Sequence, residues 1–137
     1  MDNPFTAPVA MVAFYAAINA LIMLVLGMLV VRARAKTRTE IGDGGDPALL
    51  GPLRAHANNT EYVPMAIILL ILLLGLQANV WIIHIVGGSL TLGRLLHAFG
   101  LSRNVGASTP RLLGMILTWL SYIIAIAVTL WLALVGN

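Results

Sequence analysis

The chain contains no cysteine, which excludes disulfides and thiolate metal sites and leaves the redox compartment open. Charge is almost as scarce: eight basic and five acidic residues make up 9% of 137. So few charges cannot solvate the surface of a soluble protein of this length. A phosphate-binding glycine loop, zinc-ligand spacing and a nucleophile elbow are all missing. The three histidines stand apart at positions 56, 84 and 97, and carboxylates are few, so no catalytic metal is expected. Internal repeats and low-complexity segments are missing too.

What remains is apolar. Hydrophobic residues are 60% of the chain and the mean hydropathy is +0.96. The formal charge of +3 would suit nucleic acid, but its distribution argues for membrane orientation, so no nucleic-acid partner is expected. Four apolar stretches divide the sequence, at about 9–31, 52–76, 80–99 and 110–135. Each can cross a bilayer, since about 20 helical residues span roughly 30 Å. The reading is all-α: one integral membrane four-helix domain covering residues 1–137. The first stretch does not read as a cleavable signal peptide, because Asp2 precedes it and the basic residues follow it. Gln77-Ala78-Asn79 forces a tight antiparallel hairpin between helices two and three. Segment 32–51, rich in Gly, Asp and basic residues, reads as a solvated loop. Pro110 sits well in the first turn of helix four.

All eight basic residues (Arg32, Arg34, Lys36, Arg38, Arg54, Arg94, Arg103 and Arg111) lie in or beside the first-to-second and third-to-fourth connections. Excess Lys and Arg stay on the cytoplasmic side, so both termini are expected to face away from it. Short loops and a compact chain suggest a bacterial inner membrane.

Charge also enters the helices. Arg54, Asn58 and Glu61 stand at i, i+4 and i+7, within roughly 60° on one helical face, with Tyr62 at its edge. Arg94 and His97 lie one turn apart near the end of helix three, and Arg111 opens helix four at the same level. Ionisable groups at membrane depth need a polar cavity, a bundle interior or one another. Arginines, a glutamate, an asparagine and a histidine together suit a small zwitterionic ligand. Arg offers a planar fork to a carboxylate, Glu accepts from an ammonium group, and Asn both donates and accepts.

These residues resemble the MAPEG superfamily, the membrane-associated proteins in eicosanoid and glutathione metabolism, of the microsomal glutathione transferase type. The run RAHANNTEYVP carries the likeness, followed by Gly93-Arg94 and His97 in helix three and Arg111 in helix four. The resemblance implies a homotrimer of four-helix protomers that binds glutathione, as cosubstrate, between neighbouring subunits near the cytoplasmic face. It implies that Arg54, Asn58, Glu61 and Tyr62 hold the tripeptide, that Arg94 and His97 contribute, and that Arg111 acts on the thiol. The expected activity is a glutathione transferase or peroxidase acting on hydrophobic electrophiles or lipid hydroperoxides, with membrane lipid as surroundings.

Departures from the family pattern concern the reaction more than the binding. Leu101 stands where catalytic relatives often carry tyrosine, His97 where some carry tyrosine on helix three, and Leu112 where some place a serine. Segment 102–109 leaves the alignment of Arg111 open by a few residues, with Arg103 as its rival. The competing expectation is a non-catalytic membrane scaffold, regulator or small transporter of the same fold. In it, Arg54 is a snorkelling helix-end arginine, and an Arg54–Glu61 or Arg94–Glu61 ion pair is structural. His56 then reads as an interfacial side chain, Tyr62 as an interfacial aromatic, and His97 as a satisfied helix-end histidine. His84 and Asn19 lie deeper, and each reads as one inter-helix hydrogen bond. Pro64 should kink helix two above the polar face, and Gly87, Gly88, Ser89 and Gly93 make helix three narrow enough for close packing.

Overall fold

A computed structural model describes residues 8–103 and 106–135; Asp2, on which the signal-peptide argument rests, lies outside them. The chain forms four helices, α1 (Pro8–Thr37), α2 (Pro47–Gly75), α3 (Val80–Arg103) and α4 (Thr109–Val135). All four are long and apolar enough to cross a membrane.

Three helix ends differ from the sequence expectation. At α1 the reason is that arginine and lysine end an apolar run without ending a helix, because both are good helix formers, so α1 continues through its basic residues to Thr37. α3 runs past Phe99 to Arg103, its added turn holding the buried Gly100 and Leu101, with Gly100 packed on the Arg111 backbone of α4. The third is a cap. α2 opens at Pro47 rather than Pro52, with Asp46 as its N-cap accepting from the Ala48 amide at 2.8 Å. Segment 32–51 is consequently mostly helix, and the open loop shrinks to residues 38–46. Arg34 is spent on that loop: its Nη1 donates to the carbonyls of Thr39, Glu40 and Gly42 at 3.2, 3.0 and 3.0 Å.

The α2–α3 hairpin closes as anticipated. Gln77 takes a left-handed φ of 55°, the Ala78 amide donates to the Leu73 carbonyl, and the Gln77 amide to that of Leu74. Asn79 then caps α3 through its side chain, which accepts from the Trp81 amide at 2.9 Å.

α3 is the central element and packs most intimately on α4. Glycine is the reason. A Cβ on Gly114 would lie 2.5 Å from the His97 backbone nitrogen, and one on Gly93 would lie 2.8 Å from the Gly114 carbonyl oxygen. These backbones touch as close helix packing in a membrane demands. Elsewhere on α3, the Tyr15 ring packs directly on Gly87 and leaves no room for a Cβ.

Two apolar clusters fill the bundle. One, toward the hairpin, holds Met11, Leu70, Leu73, Ile83, Val86 and Ala125; the other, toward the basic loops, holds Ile22, Leu26, Ala55 and Leu101. Between them the buried Val63, Ala66 and Leu90 share the interior with polar side chains.

Candidate functional site

Arg94 is the largest fully buried side chain, with 1% of its surface exposed. α3 carries it into the bundle on the same face as Leu90, His97 and Leu101, all buried. Its Nη1 donates to Asn58 Oδ1 at 2.8 Å, and its Nε and Nη2 donate to Thr118 Oγ1 at 3.1 and 2.7 Å. Nη2 also meets Met115 Sδ at 3.6 Å, and the guanidinium stands 5.4 Å from the Tyr62 ring centroid. Tyr62 packs edge-on against Tyr122, whose hydroxyl donates to the Tyr62 carbonyl. Three helices thus close on one cation.

Every one of these partners is neutral. Carbonyl, hydroxyl, thioether and ring dipoles solvate the charge without cancelling it, so the cluster carries a net positive charge inside the bundle. Among the described residues no ion pair joins Glu61 to Arg54 or Arg94. Asn58, rather than a carboxylate, takes the position of the structural partner.

The residues anticipated from sequence separate into two groups. Asn58, Tyr62 and Arg94 come together as described, Asn58 and Tyr62 half-buried. Arg54 and Glu61 lie exposed on the outer stripe of α2, which continues through the exposed Met65, Ile68 and Leu72. His97 is 3% exposed one turn along α3 from Arg94, with its backbone against Gly114, and is not among the partners of the guanidinium.

Arg111 stands apart from this cluster within the protomer. It lies in the first turn of α4, two turns or about 10 Å of helix rise before Thr118. Its Nη1 donates to the Gly106 carbonyl at 3.3 Å. It lines a groove of about 880 Å³ that runs from Ser108 along Leu112, Met115 and Ile116 to Trp119. The groove is polar at the loop and apolar toward the bilayer depth. Arg103, the rival, instead places its guanidinium 4.2 Å from the Phe99 ring centroid.

Sequence reasoning missed Thr118 and Tyr122. The signal was present: Gly114, Thr118, Ser121 and Ala125 are small or polar residues of an otherwise bulky helix, and all four are buried. In a lipid-facing helix such a stripe marks the packed side. His84 and Asn19 do make the inter-helix bonds expected of them, His84 Nδ1 with the Tyr15 hydroxyl at 2.9 Å and Asn19 Nδ2 to Thr91 Oγ1 at 2.8 Å.

Comparison with known proteins places the chain in a family and is silent on the site residues. The sequence model of the MAPEG family matches residues 12–131. Inner membrane protein YecN of Escherichia coli strain K12 is 35% identical over 119 residues, covering 87% of this chain and 89% of YecN. YecN of Escherichia coli O6:H1 is equally similar, 35% identical over the same coverage. No solved structure matches. The chain belongs to the MAPEG family, on a match spanning all four helices.

Proposed function

We propose that the protein is an integral membrane glutathione-dependent transferase or peroxidase acting on hydrophobic electrophiles or lipid hydroperoxides. The observation that supports this best is the buried Arg94 with only neutral partners. Glutathione carries two carboxylates, one ammonium group and a thiol. Arg94 and Arg54 are the two forks for the carboxylates, and Glu61 is the acceptor for the ammonium. Asn58, half-buried at the edge of the cluster, shares its bond to Arg94 with the incoming carboxylate. Tyr62 forms the wall between the two halves, and His97 lies beneath the arginine.

Arg54 and Glu61 are open to the outside of a single protomer, beside an apolar stripe. In our reading a neighbouring copy covers them, so that glutathione lies between subunits of a homotrimer. The basic loops put that site near the cytoplasmic face, with both termini on the far side, in a bacterial inner membrane like that of the YecN relatives.

Arg111 is the candidate catalytic residue. A thiol with a pKa near 8.5 is mostly protonated at neutral pH, and only the thiolate attacks well. A guanidinium beside it favours the thiolate, by about 1.4 kcal/mol for each pKa unit. In transfer, the sulfur forms a bond to the electrophilic carbon and the displaced group leaves with its electron pair. In peroxide reduction, two glutathiones are oxidised to the disulfide while the hydroperoxide becomes alcohol and water. The groove beside Arg111 is open to the bilayer, which suits an apolar substrate arriving laterally.

A second reading, a non-catalytic scaffold, regulator or small transporter, draws on the separation of Arg111 from the Arg94 cluster and on Leu101, His97 and Leu112 at reaction positions. Calorimetry of glutathione binding to the detergent-solubilised protein separates the two. Saturable binding that is weakened roughly tenfold or more in Arg54→Ala and in Glu61→Ala, with the oligomer intact, is the expected result. No binding at millimolar glutathione would remove the enzyme reading and leave the polar face structural.

A further inference from the structure

One outer face of the protomer joins an apolar groove to cations for which the proposed activity has no use. α1, α2 and α3 touch one another in pairs, so the outward side of the α1–α3 seam lies opposite α2 and its exposed stripe. A groove of about 430 Å³ runs along that seam. Leu21, Val25 and Leu29 of α1 form one wall, and Leu95 and Phe99 of α3 the other; all five are exposed. From Leu21 to Leu29 the helix rises about 12 Å, close to the roughly 15 Å of hydrocarbon in one leaflet.

Arg103 stands at the head of this groove. Its guanidinium lies 4.2 Å from the ring centroid of Phe99, a lining residue, and Ser102 beside it lines the groove as well. Arg32 and Lys36 stand seven residues past Val25 and Leu29, so they continue the α1 wall beyond its apolar part. The register of the two helices brings these cations together. Asn19 bonds Thr91, 72 residues on, and Tyr15 packs on Gly87 at the same offset. That offset sets Arg103 level with Val31, next to Arg32, with Lys36 one turn beyond Arg32. All three cations are exposed, and among the described residues no carboxylate pairs with any of them.

We propose that the α1–α3 groove binds an anionic phospholipid, with one acyl chain between its walls and the phosphate held by Arg103, Arg32 and Lys36. Arginine and lysine at the end of an apolar wall lay their stems along the chain and place charge at headgroup depth. A basic pocket between membrane helices selects an anionic headgroup, because a zwitterionic one brings a cation of its own that the pocket repels. The Phe99 ring holds the Arg103 guanidinium at the groove mouth, where its planar fork can meet phosphate. Arg94, Arg111 and Glu61 take no part in this site, so it stands whether or not glutathione binds.

The test places the full chain in phosphatidylcholine vesicles and follows spin-labelled lipids by electron paramagnetic resonance. Phosphatidylglycerol and phosphatidylcholine probes, each labelled near the chain end, are compared for the fraction that the protein immobilises. Wild type is expected to favour phosphatidylglycerol roughly tenfold, and Arg103→Ala to lower that preference about fivefold, with a smaller fall in Lys36→Ala. Arg32 also borders a groove between α1 and α2, so it is left unchanged. Arg38→Asn removes the same charge from the exposed loop, off this wall, and should have no effect. Ala98→Phe keeps every cation but fills the groove, and should abolish the preference; Val25→Trp on the opposite wall serves if that variant does not fold. Equal immobilisation of the two lipids by wild type would overturn the proposal. So would a preference that survives filling of the groove, or one that Arg38→Asn lowers as much as Arg103→Ala, since either marks diffuse surface charge rather than a site.

Discussion

The two halves of the polar region sit side by side on α2 and obey different rules. Asn58 and Tyr62 face inward and are fixed by Arg94, Thr118 and Tyr122 from two other helices. Arg54 and Glu61, on the same helix within one or two turns, face outward and are exposed. The closed half is built by the protomer alone, so changes there should act on folding and binding together. The open half is charge displayed on a stripe, and changes there should act on binding and assembly with little effect on protomer stability.

The contrast is tested most severely at the α3–α4 packing on which the closed half rests. Gly114→Ala places a methyl group 2.5 Å from the His97 backbone nitrogen, and neither backbone can yield locally. The helices must separate, drawing Thr118 away from Arg94. A loss of about 3 kcal/mol in stability is expected, read as a lower unfolding midpoint in detergent, together with loss of binding.

Arg94→Met separates folding from binding. Its partners are neutral, and Thr118 keeps its own bond to the Gly114 carbonyl at 2.8 Å. Replacing an uncompensated buried cation by an apolar side chain of similar length should leave the unliganded protein more stable, by about 1–4 kcal/mol. Glutathione binding should nevertheless be abolished. A large drop in midpoint for this variant would mean that the cation is structural, and would erase the functional reading of the closed half.

Tyr122→Phe is a smaller perturbation. It removes the hydroxyl that donates to the Tyr62 carbonyl and keeps the edge-on ring packing. The expected cost is about 1 kcal/mol, read as a small midpoint shift with binding weakened through Tyr62. By contrast, Glu61→Ala should move the midpoint by no more than about 0.5 kcal/mol while weakening binding, as expected of an exposed side chain on the outer stripe.

Much of this was legible in the sequence. Four spans, the hairpin at Gln77–Asn79 and the asymmetry of eight basic residues follow from hydropathy and charge, because a bilayer leaves few solutions for such a chain. The pairing of the α2 face with Arg94 was also visible, since helical spacing and antiparallel connection fix depth. Helix ends were less so: the basic run 32–38 and the Asp46-Pro47 cap show that polarity marks the edge of the membrane core, not the edge of the helix. Thr118, Tyr122 and Asn59 were invisible to charge counting, because hydroxyls and amides gain their meaning only from what they face.

Membrane class, span count, orientation signal and family pattern all depend on composition and on spacing along one helix, so a linear reading of the chain suffices for them. Three outcomes needed the assembled bundle: that Arg94 is buried among neutral groups, that Arg54 and Glu61 are not its partners, and that Asn59 turns inward. Each depends on how one helix is rotated about its axis relative to the others. For α3 and α4 that rotation is set by close glycine-to-backbone packing, and for α2 by its packing on α1 and α3, neither of which a single helix encodes.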